Sequence, residues 1–250
     1  MGVRILILGG TGEARELAAE LAAAGIDVLS SLAGRVRRPR LPDGRVRVGG
    51  FGGADGLADF LRAEAITSVV DATHPFAASI TRNAAEAASR TGVPLLVLRR
   101  PPWPADPAWD TVGDIRAAAA AVREWAGESV FLTTGRRDLG AFAADERHRF
   151  LVRAVDPPDP DGPAPRRMTL VLDRGPYTVD GESALMREHG VGLLVTKNSG
   201  GSMTAAKLQA ARDLGLKIVV VRRPPLPPGC SAVATVAEAA AWIGQADQPG

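Results

Sequence analysis

The sequence predicts an α/β protein of two related lobes, each built on a mostly parallel sheet, with their ligand loops facing one cleft. Three observations carry this. Short apolar runs alternate with alanine-rich helical patterns along the chain, and such alternation builds right-handed βαβ units on a parallel sheet. A glycine turn, Gly9-Gly10-Thr11-Gly12, separates the first apolar run from the first helical pattern. A faint internal repeat aligns Val70-Asp71-Ala72-Thr73-His74 onward with Leu193-Leu194-Val195-Thr196-Lys197 onward, and without a gap brings Leu98-Arg99-Arg100-Pro101-Pro102 onto Val221-Arg222-Arg223-Pro224-Pro225.

Strands are expected at Val3–Leu8, Asp27–Ser31, Arg45–Val48, Ser68–Ala72 and Leu95–Leu98. A second set follows at Val130–Thr133, Phe150–Val155, Thr169–Asp173, Leu193–Thr196 and Ile218–Val221. Their continuous apolar character suits a sheet covered on both faces. Helical spacing marks Glu13–Ala24, Ala54–Ala63, Ala78–Arg90, Ile115–Trp125, Glu182–His189, Thr204–Leu214 and Val236–Ile243. Proline-rich stretches at Pro101–Pro107 and Pro224–Pro228 read as boundaries. The expected division is 1–106 and 107–250.

Composition narrows the function classes. Of 250 residues, 46% are apolar, which supports a packed core rather than disorder. No apolar stretch is long enough to cross a bilayer, and the start lacks signal-peptide features. A soluble, cytoplasmic monomer is expected. The single cysteine, Cys230, rules out a disulfide framework, and His74, His148 and His189 show no metal-ligand spacing. Net charge is +2. Little aromatic interleaving and no long basic stripe argue against nucleic acid.

The glycine turn follows a strand and opens a helix, the context a dinucleotide fingerprint requires. Helix N-terminal N–H groups bind anions, so Gly9, Gly10, Thr11, Gly12, Glu13 and Ala14 are read as the pyrophosphate cradle. The third fingerprint glycine is replaced by Arg15. An NADH site needs an acid at the end of the second strand. Here that strand ends Ser30-Ser31-Leu32-Ala33-Gly34-Arg35. Ser30, Ser31 and Arg35 suit a 2′-phosphate, so NADPH is favoured. Gly50, Phe51 and Gly52 after the third strand, and Thr73 and His74 after the fourth, complete the cofactor reading. His74 stands beside the expected nicotinamide, where it could donate a proton; a histidine satisfied by nearby backbone explains it equally well.

The second lobe opens with Thr133-Thr134-Gly135-Arg136-Arg137-Asp138, arginines in place of glycines, which suits an acidic substrate. Thr196-Lys197-Asn198-Ser199-Gly200-Gly201-Ser202 joins lysine, amide, hydroxyl and backbone N–H groups into an anion or carbonyl site. Lys207 follows on the same helix. Arg174-Gly175-Pro176-Tyr177 adds a cation and the only tyrosine. A short-chain dehydrogenase or sugar epimerase would need a lysine four residues after its tyrosine, and position 181 is Gly181. A non-catalytic NADP(H)-binding module would not need the polar loops of a second lobe.

Taken together, the segments at 6–14, 31–35, 48–53, 71–77, 132–136, 174–176 and 196–201 resemble the precorrin-6A reductase family of cobalamin biosynthesis, with no clear departure at any of them. The resemblance spans nearly the whole chain. It implies two Rossmann-like lobes around an active-site cleft and leaves room for strand exchange between them. It also implies an oxidoreductase that uses NADPH to reduce one double bond of the precorrin-6A macrocycle, giving precorrin-6B. The cobalt complex of the anaerobic branch is the alternative substrate. For this polycarboxylate tetrapyrrole, Arg136, Arg174, Lys197, Asn198, Ser199, Gly200, Gly201, Ser202 and Lys207 are the expected contacts. Lys197, His74, Tyr177 and bound water remain open as the proton donor.

Overall fold

The computed structural model describes residues 3–34 and 40–246. The first elements are β1 (Arg4–Leu8), α1 (Gly12–Ala23), β2 (Asp27–Leu32), β3 (Arg45–Val48), α2 (Gly53–Ala63), β4 (Ser68–Asp71), α3 (Ala78–Thr91) and β5 (Leu95–Leu98). Next come β6 (Trp109–Val112), α4 (Ile115–Glu124), β7 (Ser129–Leu132), a 3-10 turn (Arg136–Phe142), β8 (Arg149–Ala154) and β9 (Met168–Leu172). The chain continues through α5 (Val179–Glu188), β10 (Leu193–Lys197), α6 (Ala206–Asp213), β11 (Lys217–Val221), β12 (Ser231–Val233) and α7 (Val236–Ala246). It divides into two compact units, Met1–Pro101 with Pro224–Gly250, and Pro102–Arg223.

The first sheet runs β12-β5-β4-β1-β2-β3 and the second β6-β11-β10-β7-β8-β9, with every pairing parallel. In β1 the side chains alternate between two apolar layers, as strand geometry demands. Ile5 and Ile7 join Leu17 and Leu21 of α1 and Ile243 of α7. Leu6 and Leu8 join Leu57 and Leu61 of α2 and Ala84 of α3. In the second unit Phe131, Leu194 and Ile218 pack with Met186 of α5 and Leu208 of α6, with Trp103 closing the cluster.

The units differ from the expected division at 106/107 in the way that the expectation of strand exchange left open. Although β6 follows β5 in the chain, it pairs with β11 in the second sheet. β12 follows β11 but pairs with β5 in the first, and α7 delivers Val236, Ala239 and Ile243 to the first unit's core. The repeat corresponds to real equivalence: β4 lies between β5 and β1, and β10 between β11 and β7. β6 and β12 are absent from the sequence expectation because both are short, polar edge strands without an apolar run. α5 starts earlier than expected because Thr178 caps it, its Oγ1 accepting from the Gly181 N–H at 3.1 Å.

Ile243 is 1% exposed among first-unit side chains. Ile243→Ala should cost about 2–5 kcal/mol, read as a lower urea midpoint; an unchanged midpoint would mean that α7 adds nothing to this core.

Candidate functional site

At the C-terminal edge of β1, Gly10 has φ of +121°, a conformation that glycine takes at no steric cost. A side-chain carbon at Gly10 would meet nothing within 4 Å, so the space over the turn is open. Thr11 caps α1: its Oγ1 accepts from the Ala14 N–H at 3.1 Å and donates to Ala72 O at 2.7 Å. Gly9 N–H donates to Ser31 O at 2.9 Å. The turn is thereby pinned to the ends of both neighbouring strands. Glu13 is already engaged, both carboxylate oxygens accepting from Arg100 Nη1 at 3.0 Å. Burial would raise its pKa, but its own backbone N–H, Arg100 and Thr11 outweigh that and hold it below the ordinary value. It is committed to Arg100, so the groups at this turn able to take an anion are the backbone N–H groups at the start of α1.

Ser30 and Ser31 are both buried at the end of β2. The register sets Ser31 beside Arg47 of β3. Arg47 Nη1 donates to Ser31 Oγ at 2.9 Å and Gly49 O at 3.0 Å, and Nη2 to Gly50 O at 3.1 Å. Its guanidinium lies 3.9 Å from the centroid of Phe51, which meets Phe60 edge-on at 5.1 Å. Sequence reasoning missed Arg47. Its signal was the alternation Arg45-Val46-Arg47-Val48 in a strand next to the serines. Arg35 lies outside the described residues. Gly50 and Gly52 lead into the start of α2.

After β4, Thr73 is tied to Asp71, whose Oδ1 accepts from Thr73 N–H at 3.0 Å and Thr73 Oγ1 at 2.6 Å. His74 is exposed, and its Nδ1 accepts from the Phe76 N–H at 3.3 Å. That bond puts the neutral ring's proton on Nε2.

In the second unit, Lys197 Nζ pairs with Asp138 at 2.6 Å, and Arg136 Nη1 donates to Pro157 O at 2.7 Å. Both stand at the C-terminal ends of neighbouring strands, β10 and β7. The Asn198 amide is spent on the backbone of Trp103, accepting from its N–H at 2.9 Å and donating to its carbonyl at 3.3 Å. The Trp103 indole N–H donates to Gly201 O at 2.9 Å. Asn198 therefore holds the loop rather than a ligand, which corrects the expectation for its side chain. Gly200 and Gly201 take φ of +65° and +76°. Ser199 is buried, whereas Ser202 and Arg174 are exposed.

Tyr177 N–H donates to Met203 O at 3.3 Å, joining the 174–177 loop to the 200–204 loop. The Tyr177 ring lies 3.6 Å from the guanidinium of Arg153, which forms a buried ion pair with Glu182. Burial pushes the Tyr177 phenol up against the opposing pull of Arg153, so it stays protonated near neutrality. Lys207 requires another correction. It is only 4% exposed, its Nζ donating to Thr204 O at 2.7 Å and lying 5.0 Å from the Trp103 ring. The ammonium sits inside the unit rather than on an open binding surface.

Burial, with a smaller push from Arg153, lowers Lys207 from 10.5 to about 7, against the pull of Glu182. Below pH 7 the amine is charged in folded and unfolded chains alike, and the fold bears the full cost of burying it. Between about pH 7 and 10.5 the unfolded chain holds a proton that the folded chain has released, so stability rises with pH. Lys207→Met should stabilise the protein by on the order of 2 kcal/mol below pH 7. The gain should shrink toward pH 10.5; urea midpoints across that range read it directly, and a pH-independent difference would refute the buried-charge account.

A model of the precorrin-6x reductase family, CbiJ/CobK, matches residues 4–244. The precorrin-6A reductase of Rhodococcus erythropolis is 57% identical over 244 residues, covering 96% of this chain and 97% of that one. The cobalt-precorrin-6A reductase of Priestia megaterium is 31% identical over 240 residues, covering 88% and 90%. A solved structure described as CobK precorrin-6A reductase aligns with a TM-score of 0.90 at 41% identity, covering 98% of this chain and 97% of that one. The two parallel sheets and their connections are thus shared with that structure over nearly the full length, and the chain belongs to the precorrin-6x reductase family.

Proposed function

We propose that this protein reduces one carbon–carbon double bond of precorrin-6A to give precorrin-6B, with NADPH as the reductant. The observation that carries the cofactor reading is the Gly10-Thr11 turn over an open α1 N-terminus, beside a β2 end that has serines, with Arg47 of β3 against Ser31, and no acid. The donor set fits a dinucleotide with a 2′-phosphate: backbone N–H groups for the pyrophosphate, and hydroxyls with a cation for the ribose phosphate. The metal-free macrocycle is favoured because relatives named for it are more similar than those named for the cobalt form.

When bound, NADPH supplies a hydride; a proton must reach the adjacent ring carbon to complete the reduction. The first unit's contribution is to fix the cofactor through the turn at Gly10 and the β2–β3 edge. The second unit's cations, Arg136, Arg174 and Lys197, suit the acetate and propionate groups of a tetrapyrrole. Of these, Lys197 is held in place by Asp138. Orientation of the substrate relative to the cofactor supplies most of the advantage in such a reaction. Tyr177, kept neutral by its surroundings, is a proton source only in its phenol form; Lys197 and His74 are the other candidates on the chain.

The test is loss of reduced-nicotinamide absorbance on adding purified precorrin-6A, repeated with its cobalt complex and with NADH. Turnover with NADPH and the metal-free macrocycle is expected; activity only with the cobalt complex would favour the second substrate. Lys197→Ala should lower kcat/KM for the macrocycle by about 10-fold or more with an unchanged Kd for NADPH. Weakened NADPH binding would place this loop with the cofactor instead.

A further inference from the structure

In the second unit, the turn between β10 and α6 uses its backbone carbonyls and its backbone N–H groups differently. Four consecutive carbonyls accept from within the unit. Gly201 O takes the Trp103 indole N–H at 2.9 Å, and Ser202 O the Ala205 N–H at 3.2 Å. Met203 O takes the Tyr177 N–H at 3.3 Å, and Thr204 O takes Lys207 Nζ at 2.7 Å. The N–H groups of the same four residues find no acceptor among the described residues. Gly201, Ser202 and Met203 are exposed. A run of unanswered peptide N–H groups suits an anion, provided that the turn carrying it keeps one shape.

Two of the four ties come from buried side chains, Trp103 and Lys207. Thr204 precedes Ala205, the cap of α6, so its carbonyl lies outside the helical ladder and Lys207 supplies its donor. An ammonium is a costly donor in this place. Leu208, Ala210 and Ala211, its neighbours on α6, are apolar and buried. The Glu182 carboxylate is already paired with Arg153. An apolar side chain of similar length would suit the core better. The lysine therefore answers a need of the turn rather than of the core.

We propose that Lys207 is a positioning residue for the substrate: with Trp103, it fixes the 201–204 turn so that the turn's N–H groups receive a carboxylate of the macrocycle. The inference rests on the reading of this loop as a substrate contact, and both residues act through the loop. Lys207 holds the turn at Thr204 and Trp103 holds it at Gly201. The two anchors also meet each other, Nζ lying 5.0 Å from the indole ring. Asn198 in turn grips the Trp103 backbone at its N–H and its carbonyl. Both ends of the turn are thus referenced to one buried point. A residue that lowers stability while serving function separates the two in a variant, because replacing Lys207 by an apolar side chain should strengthen the fold and weaken the site.

The experiment combines steady-state kinetics on purified precorrin-6A, calorimetric Kd values for NADPH and urea midpoints below pH 7. It uses full-length wild type, Lys207→Met, Trp103→Phe and the double variant. Lys207→Met should raise KM for the macrocycle about 10-fold with kcat within about 2-fold. Its Kd for NADPH should be unchanged and its urea midpoint higher than that of wild type. Trp103→Phe keeps an aromatic ring, removes the indole N–H and should raise KM in the same way. The double variant should raise KM by less than the product of the single effects, because both ties hold one turn. An unchanged KM in either single variant overturns the proposal, and so do fully multiplicative losses, which would give the two residues separate tasks. A lower midpoint and weaker NADPH binding in Lys207→Met also overturn it, since the lysine would then be structural. Absence of turnover by the wild type overturns the function on which the inference rests, and the inference with it.

Discussion

The hydroxyl of Thr11 organises the first unit's sheet at the carboxyl ends of its strands. It accepts from the first turn of α1 and donates to the chain just beyond β4. One short side chain thus caps a helix and ties the β1 turn to the β4 loop. Gly9, bonded to the end of β2, ties the same turn to the opposite neighbour. The carboxyl ends of three adjacent strands are therefore referenced to one point. Ser31 and Arg47 on one side and Asp71 with Thr73 on the other are placed relative to it.

The second unit solves its positioning differently. Where the first uses glycine and hydroxyl at the β1 turn, the second uses paired charge and an indole anchor. Lys197 is braced by Asp138, and Trp103 fastens the 198–201 loop through both its backbone and its ring nitrogen. Below that loop lies a buried set of Arg153, Glu182 and Lys207. Such a set is a poor source of net stability, because desolvation of each charge offsets the attraction. Its geometric effect is plainer: Arg153 supports the face of Tyr177 and Lys207 holds the carbonyl of Thr204. Two solvent-facing loops thereby rest on a charged foundation.

Much of this was legible in the chain because the strands are continuous apolar runs and the glycine turn stands at a strand–helix junction. Boundaries of β1, β3, β5 and α2 differ from expectation by at most a residue. What stayed hidden depends on partners distant in sequence. Arg47 gains meaning only once the β2–β3 register puts it opposite Ser31. Lys207 and Asn198 were misread for the complementary reason: a polar residue near a glycine-rich loop looks like a ligand contact until its bonding partners, Thr204 and Trp103, are visible. The short strands β6 and β12 lack the apolar signature because edge positions do not demand it.

The placement of those two short strands bears on how the molecule is made. During synthesis on a ribosome the chain emerges from its amino end, so β5 is complete long before its outer neighbour β12 exists. Throughout production of residues 102–223, one margin of the first sheet has unanswered N–H and C=O groups, and the α7 side of its core is bare. An open margin of that kind is a template for pairing with other chains. The period of greatest exposure to mispairing therefore spans the making of the second unit, and it closes only when the last strand and helix arrive.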